Sequence, residues 1–197
     1  MRAIRTMLTF LTALACVNAA AVEILEATVE KRDDVYYVVG TSIIQASPEF
    51  IFATLMDLDH FHKIAGGIKD THFVTSDQPD EVLAYTLIES CVLFFCRSAE
   101  KVDRIETNPY AEIRTYAIPE RSDFTLHNAR WILTPTDDGT QLTYEAEIEP
   151  DFWMPPLISE WAIKRKLLET GEQIGIRIEY LAQRGLTLAQ VREPEDD

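Results

Sequence analysis

The C-terminal part of the chain predicts one long helix, and this helix limits how everything before it can fold. Pro155 and Pro156 open the helix and Gly185 ends it, so that it spans about 28 residues. Apolar side chains recur along it at spacings of three and four and make one broad stripe. These side chains are Leu157, Ile158, Trp161, Leu167, Leu168, Ile174, Ile178, Leu181 and Ala182. Because the whole apolar stripe must be buried, the preceding elements must form a surface that wraps around the helix.

Two glycines, Gly171 and Gly175, interrupt this stripe one turn apart. Inside a helix each destabilises by roughly 0.5 to 1 kcal/mol relative to alanine, so something should compensate. Two explanations stay open: another part of the chain approaches closely, or space is left for a molecule that is not protein. The packing explanation is favoured.

The segments before the long helix predict a first strand, two short helices and a series of further strands. Residues 34–45 are rich in β-branched and aromatic side chains and predict the first strand. Ser47 and Pro48 then open an amphipathic helix, and a second short helix covers 59–65. Turn signals separate several of the later strands, which are predicted at 71–76, 81–89, 98–106, 112–118, 124–135 and 141–148. This order predicts an α+β fold in which a curved antiparallel sheet wraps the C-terminal helix.

The N-terminus has the layout of a secretory signal peptide. Arg2 and Arg5 precede an apolar run from residue 7 to 17, and small residues follow at 19–21. The run is too short for a permanent membrane helix. We therefore expect cleavage near residue 21 and a periplasmic or secreted mature protein. A lipoprotein anchor at Cys16 is a second, less favoured interpretation.

The charge of the chain excludes one class of partner. Its formal net charge is −15, and such an acidic surface repels phosphate backbones. We expect no nucleic-acid partner. No repeat and no Pro/Gly/Ser-rich linker divides the sequence, which favours one folded domain followed by an acidic tail.

The four histidines do not form a metal-binding motif. His60 and His62 lie two residues apart, and on a helix they point about 160° away from each other. The sequence also lacks H-E-x-x-H, G-x-S-x-G, C-x-x-C and a Gly-rich phosphate loop. We expect no metal site and no cofactor.

One predicted strand leaves room for acid–base catalysis. His127, Asn128 and Arg130 lie on it, and one of them could polarise a carbonyl group. This minor hypothesis requires His127 or Arg130 to point inward beside an inward carboxylate. The sequence favours binding over catalysis without deciding between them.

The stretch CVLFFC, from Cys91 to Cys96, sets a geometric problem. In a straight strand the two Cα atoms would be about 17 Å apart, whereas a disulfide needs roughly 4.4 to 6.8 Å. A disulfide therefore requires a turn. Export to an oxidising compartment favours the bond, with two free, buried thiols as the alternative.

Two longer stretches resemble a known family. ASPEFIFATLMDLDHFHKI is similar to its first two helices, and NARWILTPTDDGTQLTYEAEIEPDFWMPPL is similar to its strand, turn, strand and proline-opened helix. The chain resembles the START-like or helix-grip superfamily (SRPBCC), which comprises polyketide cyclase/dehydrase and lipid transport proteins and a coenzyme Q-binding group. The resemblance runs from about Tyr37 to Leu181. It implies a helix-grip fold for a START-like ligand-binding domain at 22–186, between the signal peptide at 1–21 and a tail at 187–197.

The resemblance further implies a cavity between the sheet and the long helix that binds a hydrophobic small molecule, most plausibly a lipid or an isoprenoid quinone. The side chains expected to contact this ligand are Phe52, Phe61, Tyr85, Leu87, Ile113, Trp131, Leu133, Leu142, Tyr144, Leu157, Trp161, Leu168, Gly171 and Gly175. A cyclase/dehydratase-like enzyme and an interaction module with a closed cavity are the alternatives. The protein is expected to be a monomer, although the sequence does not determine its oligomeric state.

The apolar tip between the two cysteines has three interpretations. Val92, Leu93, Phe94 and Phe95 could form a lid over the cavity, touch a membrane transiently, or pack under the first two helices as ordinary core.

Overall fold

The computed structural model describes residues 22–92, 94–155 and 160–192, without the side chain of Val92. The expected signal peptide at 1–21, including Cys16, lies outside the described residues, as do Leu93, Leu157 and residues 193–197.

The chain folds into an eight-stranded antiparallel sheet with one long helix across its concave face. The strands are β1 Glu23–Arg32, β2 Val35–Ile44, β3 Ile68–Val74, β4 Val82–Val92, β5 Phe95–Asn108, β6 Glu112–Ala117, β7 Phe124–Thr136 and β8 Gly139–Pro150. The α-helices are α1 Pro48–Leu55 and α2 Glu160–Arg184, and short 3-10 helices cover Leu58–Lys63, Pro119–Arg121 and Leu188–Gln190. The strand order is β1-β2-β8-β7-β6-β5-β4-β3. The predicted α+β helix-grip fold is confirmed.

The structure adds one strand that the sequence pattern did not predict. β1 pairs with β2 at the edge of the sheet, and only Val29 of its ten residues is buried. A mostly exposed edge strand needs no apolar alternation, so its sequence carries little strand signal.

The core lies where the C-terminal half of α2 meets the sheet and α1. Ile178 and Leu181 of α2 are fully or almost fully buried there, together with Ile44 and Ile51. Leu188 joins the same cluster with 1 % of its surface exposed. The packed domain therefore continues past the boundary that we expected at residue 186. In the described part of the chain, no helix has the length and apolar character needed to cross a membrane.

The two glycines of α2 have different explanations. A Cβ atom built on Gly175 would lie 2.9 Å from both Cγ atoms of Val22, so the segment just before β1 approaches the helix closely there. A Cβ atom on Gly171 would meet nothing within 4 Å. At position 175 a glycine is needed because Val22 packs closely against the helix, whereas at position 171 the helix borders open space.

We expect alanine at these two positions to change stability in opposite directions. Gly171→Ala should raise the free energy of unfolding by about 0.5 to 1 kcal/mol, because it removes the entropic penalty of glycine in a helix. Gly175→Ala should lower it by about 1 kcal/mol, because Val22 must shift. Urea unfolding of both variants measures the difference, and a gain of stability at position 175 would contradict the close approach.

Candidate functional site

Two adjoining chambers lie on the concave face of the sheet, the outer one beneath α2 and the inner one beneath the end of α1 and the 3-10 helix that follows it. The outer chamber has a volume of about 360 Å³ and reaches the helix at Leu167, Leu168 and Gly171. The inner chamber has a volume of about 190 Å³ and lies deeper against the sheet. Both are lined by Phe61, Ile68, Ile88, Trp131 and Tyr144. Because these five side chains are shared, one elongated molecule could extend through both chambers.

A belt of polar side chains crosses the floor of the inner chamber. Six neighbouring strands contribute to it, from β3 to β8. Its members are Thr71, Thr86, Lys101, Asp103, Thr115, His127 and Tyr144. The outer chamber is mostly apolar by comparison, with side chains such as Ile163, Leu167 and Ile174. The cavity thus has an apolar entrance region and a polar base.

Lys101 is the centre of this belt. Its Nζ lies 2.7 Å from Oδ2 of Asp103 and 3.2 Å from Nδ1 of His127. The side chains of Lys101 and Asp103 are only 7 % and 5 % exposed. An ammonium group can only donate hydrogen bonds, so Nδ1 of His127 accepts and the ring proton resides on Nε2.

Two oxygen atoms of the belt have unused hydrogen-bonding capacity. Oδ1 of Asp103 and Oγ1 of Thr115 are buried and have no partner within the described part of the chain. Buried polar atoms in folded proteins are nearly always paired with protein or water. These two atoms therefore mark positions where a polar group of a bound molecule can be held.

Burial also changes the acidity of two ring side chains. Loss of hydration, assisted by the positive charge of Lys101, lowers the pKa of His127 well below its ordinary value. Burial, assisted by the negative charge of Asp103, raises the pKa of the Tyr144 phenol. His127 is therefore neutral at neutral pH, and Tyr144 keeps its proton as a hydrogen-bond donor.

The lowered pKa of His127 predicts a loss of stability in acid. Below about pH 6.5 the unfolded chain protonates this histidine while the folded chain does not, so the free energy of unfolding should fall by about 1.4 kcal/mol per pH unit. Above that pH both states are neutral and the effect disappears. His127→Asn keeps an acceptor for Lys101 and should remove this part of the slope in urea unfolding between pH 7.5 and 5. His72→Asn, at a histidine whose side chain is 45% exposed, is the matched control. Equal slopes in the parent and His127→Asn would contradict the prediction.

Half of the side chains predicted to contact a ligand do line the chambers. They are Phe61, Ile113, Trp131, Leu142, Tyr144, Leu168 and Gly171. On β7 and β8 the predicted alternation placed the correct residues on the concave face.

Tyr85 and Leu87 do not line the chambers, because the inward-facing residues of β4 are offset by one position from those that were predicted. Ala84, Thr86 and Ile88 point inward instead. The hydroxyl group of Tyr85 donates to Glu100, 2.9 Å away on the outer face. Both faces of β4 are largely apolar, so the alternation of apolar and polar residues could not show which residues face inward.

Four other predicted contacts lie elsewhere. Phe52 packs edge-on against Tyr110, with ring centroids 5.5 Å apart, and Leu133 is buried in the apolar core at 4 % exposure. Trp161 is 62 % exposed, since the neighbouring Ala162 and Ile163 take the inward positions at the start of α2. Gly175 contacts Val22.

The acid–base hypothesis required His127 or Arg130 to point inward beside an inward carboxylate, and in the structure His127 and Asp103 both point inward on either side of Lys101. Arg130 lies on the outer face, where it pairs with Glu112 at 2.6 Å and Glu145 at 3.0 Å.

Cys91 and Cys96 form a disulfide bond. They face each other across the β4–β5 hairpin, in which Val92 pairs with Phe95 and Phe94 lies at the turn. The predicted turn and bond are both present, and the alternative of two free thiols does not apply. Phe94 at the turn is 68 % exposed, so it is not a core residue.

Comparisons with known proteins identify the fold. No family model and no curated protein matches the sequence. A START superfamily protein from Mycobacterium smegmatis superimposes with a TM-score of 0.57 at 18% identity, covering 75% of this chain and 97% of that one. A STAR-related lipid transfer protein fragment from Xanthomonas axonopodis gives 0.58 at 13% identity, covering 81% and 99%. The Zhui aromatase/cyclase from Streptomyces sp. R1128 gives 0.59 at 12% identity, covering 80% and 99%. At these identities the likeness establishes a shared helix-grip fold.

Proposed function

We propose that this protein binds, and carries, one hydrophobic small molecule of the lipid or isoprenoid quinone class in the two chambers. The observation that supports the proposal is the change from apolar to polar lining along the cavity. An apolar outer chamber leads to a buried polar belt in which Asp103 and Thr115 each have an oxygen that no other described residue pairs with. A molecule with a long apolar part and one polar end matches this arrangement.

The polar end of the ligand would lie in the inner chamber. A ligand hydroxyl group could donate to Oδ1 of Asp103, and a ligand carbonyl oxygen could accept from Thr115 or from the phenol of Tyr144. The apolar part would lie between Trp131, Leu168 and the open side of Gly171.

We place this function in the periplasm or outside the cell. The disulfide between Cys91 and Cys96 is compatible with an oxidising compartment, and the N-terminal sequence is typical of an export signal.

Native mass spectrometry of the mature protein, purified gently from an exporting host, tests the proposal. We expect one bound molecule per chain, recovered by organic extraction, or uptake of one molecule after incubation with a lipid extract. A chain that stays empty in both experiments would contradict the proposal and favour a module that acts through its surface.

The buried cluster also supports a second candidate function, acid–base catalysis of a cyclase or dehydratase type. The Nε2–H of neutral His127 could donate a hydrogen bond to a carbonyl group of a bound substrate and polarise it, while Oδ1 of Asp103 could accept a proton from that substrate. Under this hypothesis His127→Asn abolishes turnover of the extracted ligand and leaves its affinity unchanged. Recovery of the ligand chemically unaltered after prolonged incubation with the parent protein would exclude catalysis on that ligand.

A further inference from the structure

Three aromatic side chains stand out by their exposure. Trp153 is 72 % exposed, Phe94 68 % and Trp161 62 %, the three highest values for large apolar residues in the described part of the chain. Soluble proteins rarely place several such side chains together in water without a partner.

The strand register places all three at one end of the sheet. Phe94 lies at the turn of the β4–β5 hairpin, and Trp153 follows the end of β8. β8 ends beside the start of β2, where the β1–β2 turn lies. The backbone N–H of Lys31, at that turn, donates to Glu160 at the start of α2, which brings Trp161 to the same end.

Two direct contacts link the start of β5 to the segment that follows β8. The rings of Phe95 and Trp153 are 6.4 Å apart in an edge-to-face arrangement. Cζ of Arg97 lies 4.3 Å from the ring of Phe152. We use the name aromatic end for this end of the sheet, which carries Phe94, Phe95, Phe152, Trp153 and Trp161. The disulfide closes the hairpin that carries Phe94 and Phe95, so their positions are constrained.

We infer that the aromatic end docks on the surface of a phospholipid bilayer. Tryptophan and phenylalanine are the side chains that favour the membrane interface, where a ring can enter the apolar region beside polar head groups. Guanidinium groups lie beside these rings: Arg97 stacks on Phe152, and Arg165 lies 6.0 Å from the ring of Trp161. They complement the phosphate groups that every phospholipid carries.

The net charge of the protein defines which bilayer it can bind. The chain carries −15 overall, and Asp151 and Glu160 lie at the same end as the arginines. Ring insertion therefore has to drive the contact, and an anionic surface should not strengthen it. A basic amphipathic anchor would behave in the opposite way.

The aromatic end also lies next to the cavity. The outer chamber is lined by Ser90, which directly precedes Cys91, and by Ile163, in the first turn of α2. Docking would bring this side of the chamber to the lipid surface, so the inference extends the proposed ligand binding to exchange with a membrane.

Flotation with phosphatidylcholine vesicles tests the inference on the mature, oxidised protein. The double variant Phe94→Ala/Trp153→Ala removes two exposed rings, and we expect it to bind the vesicles at least about tenfold more weakly. Tyr110→Ala is the matched control, because Tyr110 is 53 % exposed on the β5–β6 turn, at the far end of β5. Its vesicle binding should equal that of the parent.

Further measurements distinguish this inference from the proposed function and from other occupants. Uptake of lipid extract by the double variant, followed by native mass spectrometry, should match the parent, because no altered residue lines the chambers. Addition of phosphatidylglycerol should leave binding unchanged or weaken it. The inference is overturned if the parent does not bind vesicles, or if Tyr110→Ala loses as much binding as the double variant. It is also overturned if sedimentation velocity shows a parent dimer that Trp153→Ala dissociates.

Discussion

Replacing Lys101 with methionine should lower the free energy of unfolding by about 3–5 kcal/mol. The ammonium group lies 2.7 Å from Asp103, and both side chains are almost completely buried. Without Lys101 the carboxyl group of Asp103 stays in an apolar interior with neither of its oxygens paired, since Oδ1 already lacks a partner among the described residues. Burial of an unpaired charge is among the most destabilising single changes. Urea unfolding at pH 7.5 measures the loss.

The double variant Lys101→Met/Asp103→Leu separates stability from function. Both charges are removed together, so most of the lost stability should return, as it does when a buried ion pair is replaced by apolar side chains of similar size. Ligand binding should not return, because the acceptor at the base of the cavity is gone. If Lys101→Met alone unfolds like the parent, within about 1 kcal/mol, the pair is not buried as the structure has it.

The sequence predicted the architecture because its strongest patterns concern long elements. The apolar spacing on α2 from Leu167 through Ile174 and Ile178 to Leu181 matches the helix period over about four turns. On β8, Leu142 and Tyr144 alternate with the polar residues Gln141, Thr143 and Glu145, so only one phase places the apolar side chains inside. Patterns of this kind average over many residues and tolerate single exceptions.

The candidate site was harder to predict because its main residues are charged, whereas the inward positions of a strand usually carry apolar side chains. Lys101 and Asp103 occupy inward positions of β5 between Ala99 and Ile105, where alternation predicts apolar side chains. Val102, between them, is also buried, on the opposite face. The apolar pattern of β5 thus does not show which residues face inward. Only the pairing of β5 with the neighbouring strands determines which side chains enter the chamber. His127, on the more regular β7, could be singled out from the sequence.

The alternation on β4 failed for a related reason. Tyr85 is large and was expected inside, yet its ring packs 5.1 Å from that of His72 on the outer face. The inward positions carry Ala84 and Thr86. Small side chains suit a position beside a cavity, because large ones would fill it. On β4, assigning the larger side chains to the interior therefore selects the wrong face.

Filling the outer chamber should abolish binding without affecting the fold. Ser42 on β2 lines this chamber and is half-buried. Phenylalanine at this position has a high preference for strands, and its ring would occupy the space that we assign to the apolar part of the ligand. We expect Ser42→Phe to weaken ligand binding at least about a hundredfold, because the ligand and the ring cannot occupy one volume. Competition against the extracted ligand in a fluorescence displacement assay measures the change.

Thr143→Phe provides the matched control for this prediction. Thr143 lies on the neighbouring strand β8 and pairs in register with Thr41, and its hydroxyl oxygen lies 3.4 Å from that of Thr41. Leu142 and Tyr144 on either side of it line the cavity, so Thr143 points to the outer face. The control adds the same ring outside the chamber and should bind like the parent. If Ser42→Phe also binds like the parent while unfolding normally in urea, the ligand lies in the inner chamber alone, and a carrier of long apolar molecules would no longer be tenable.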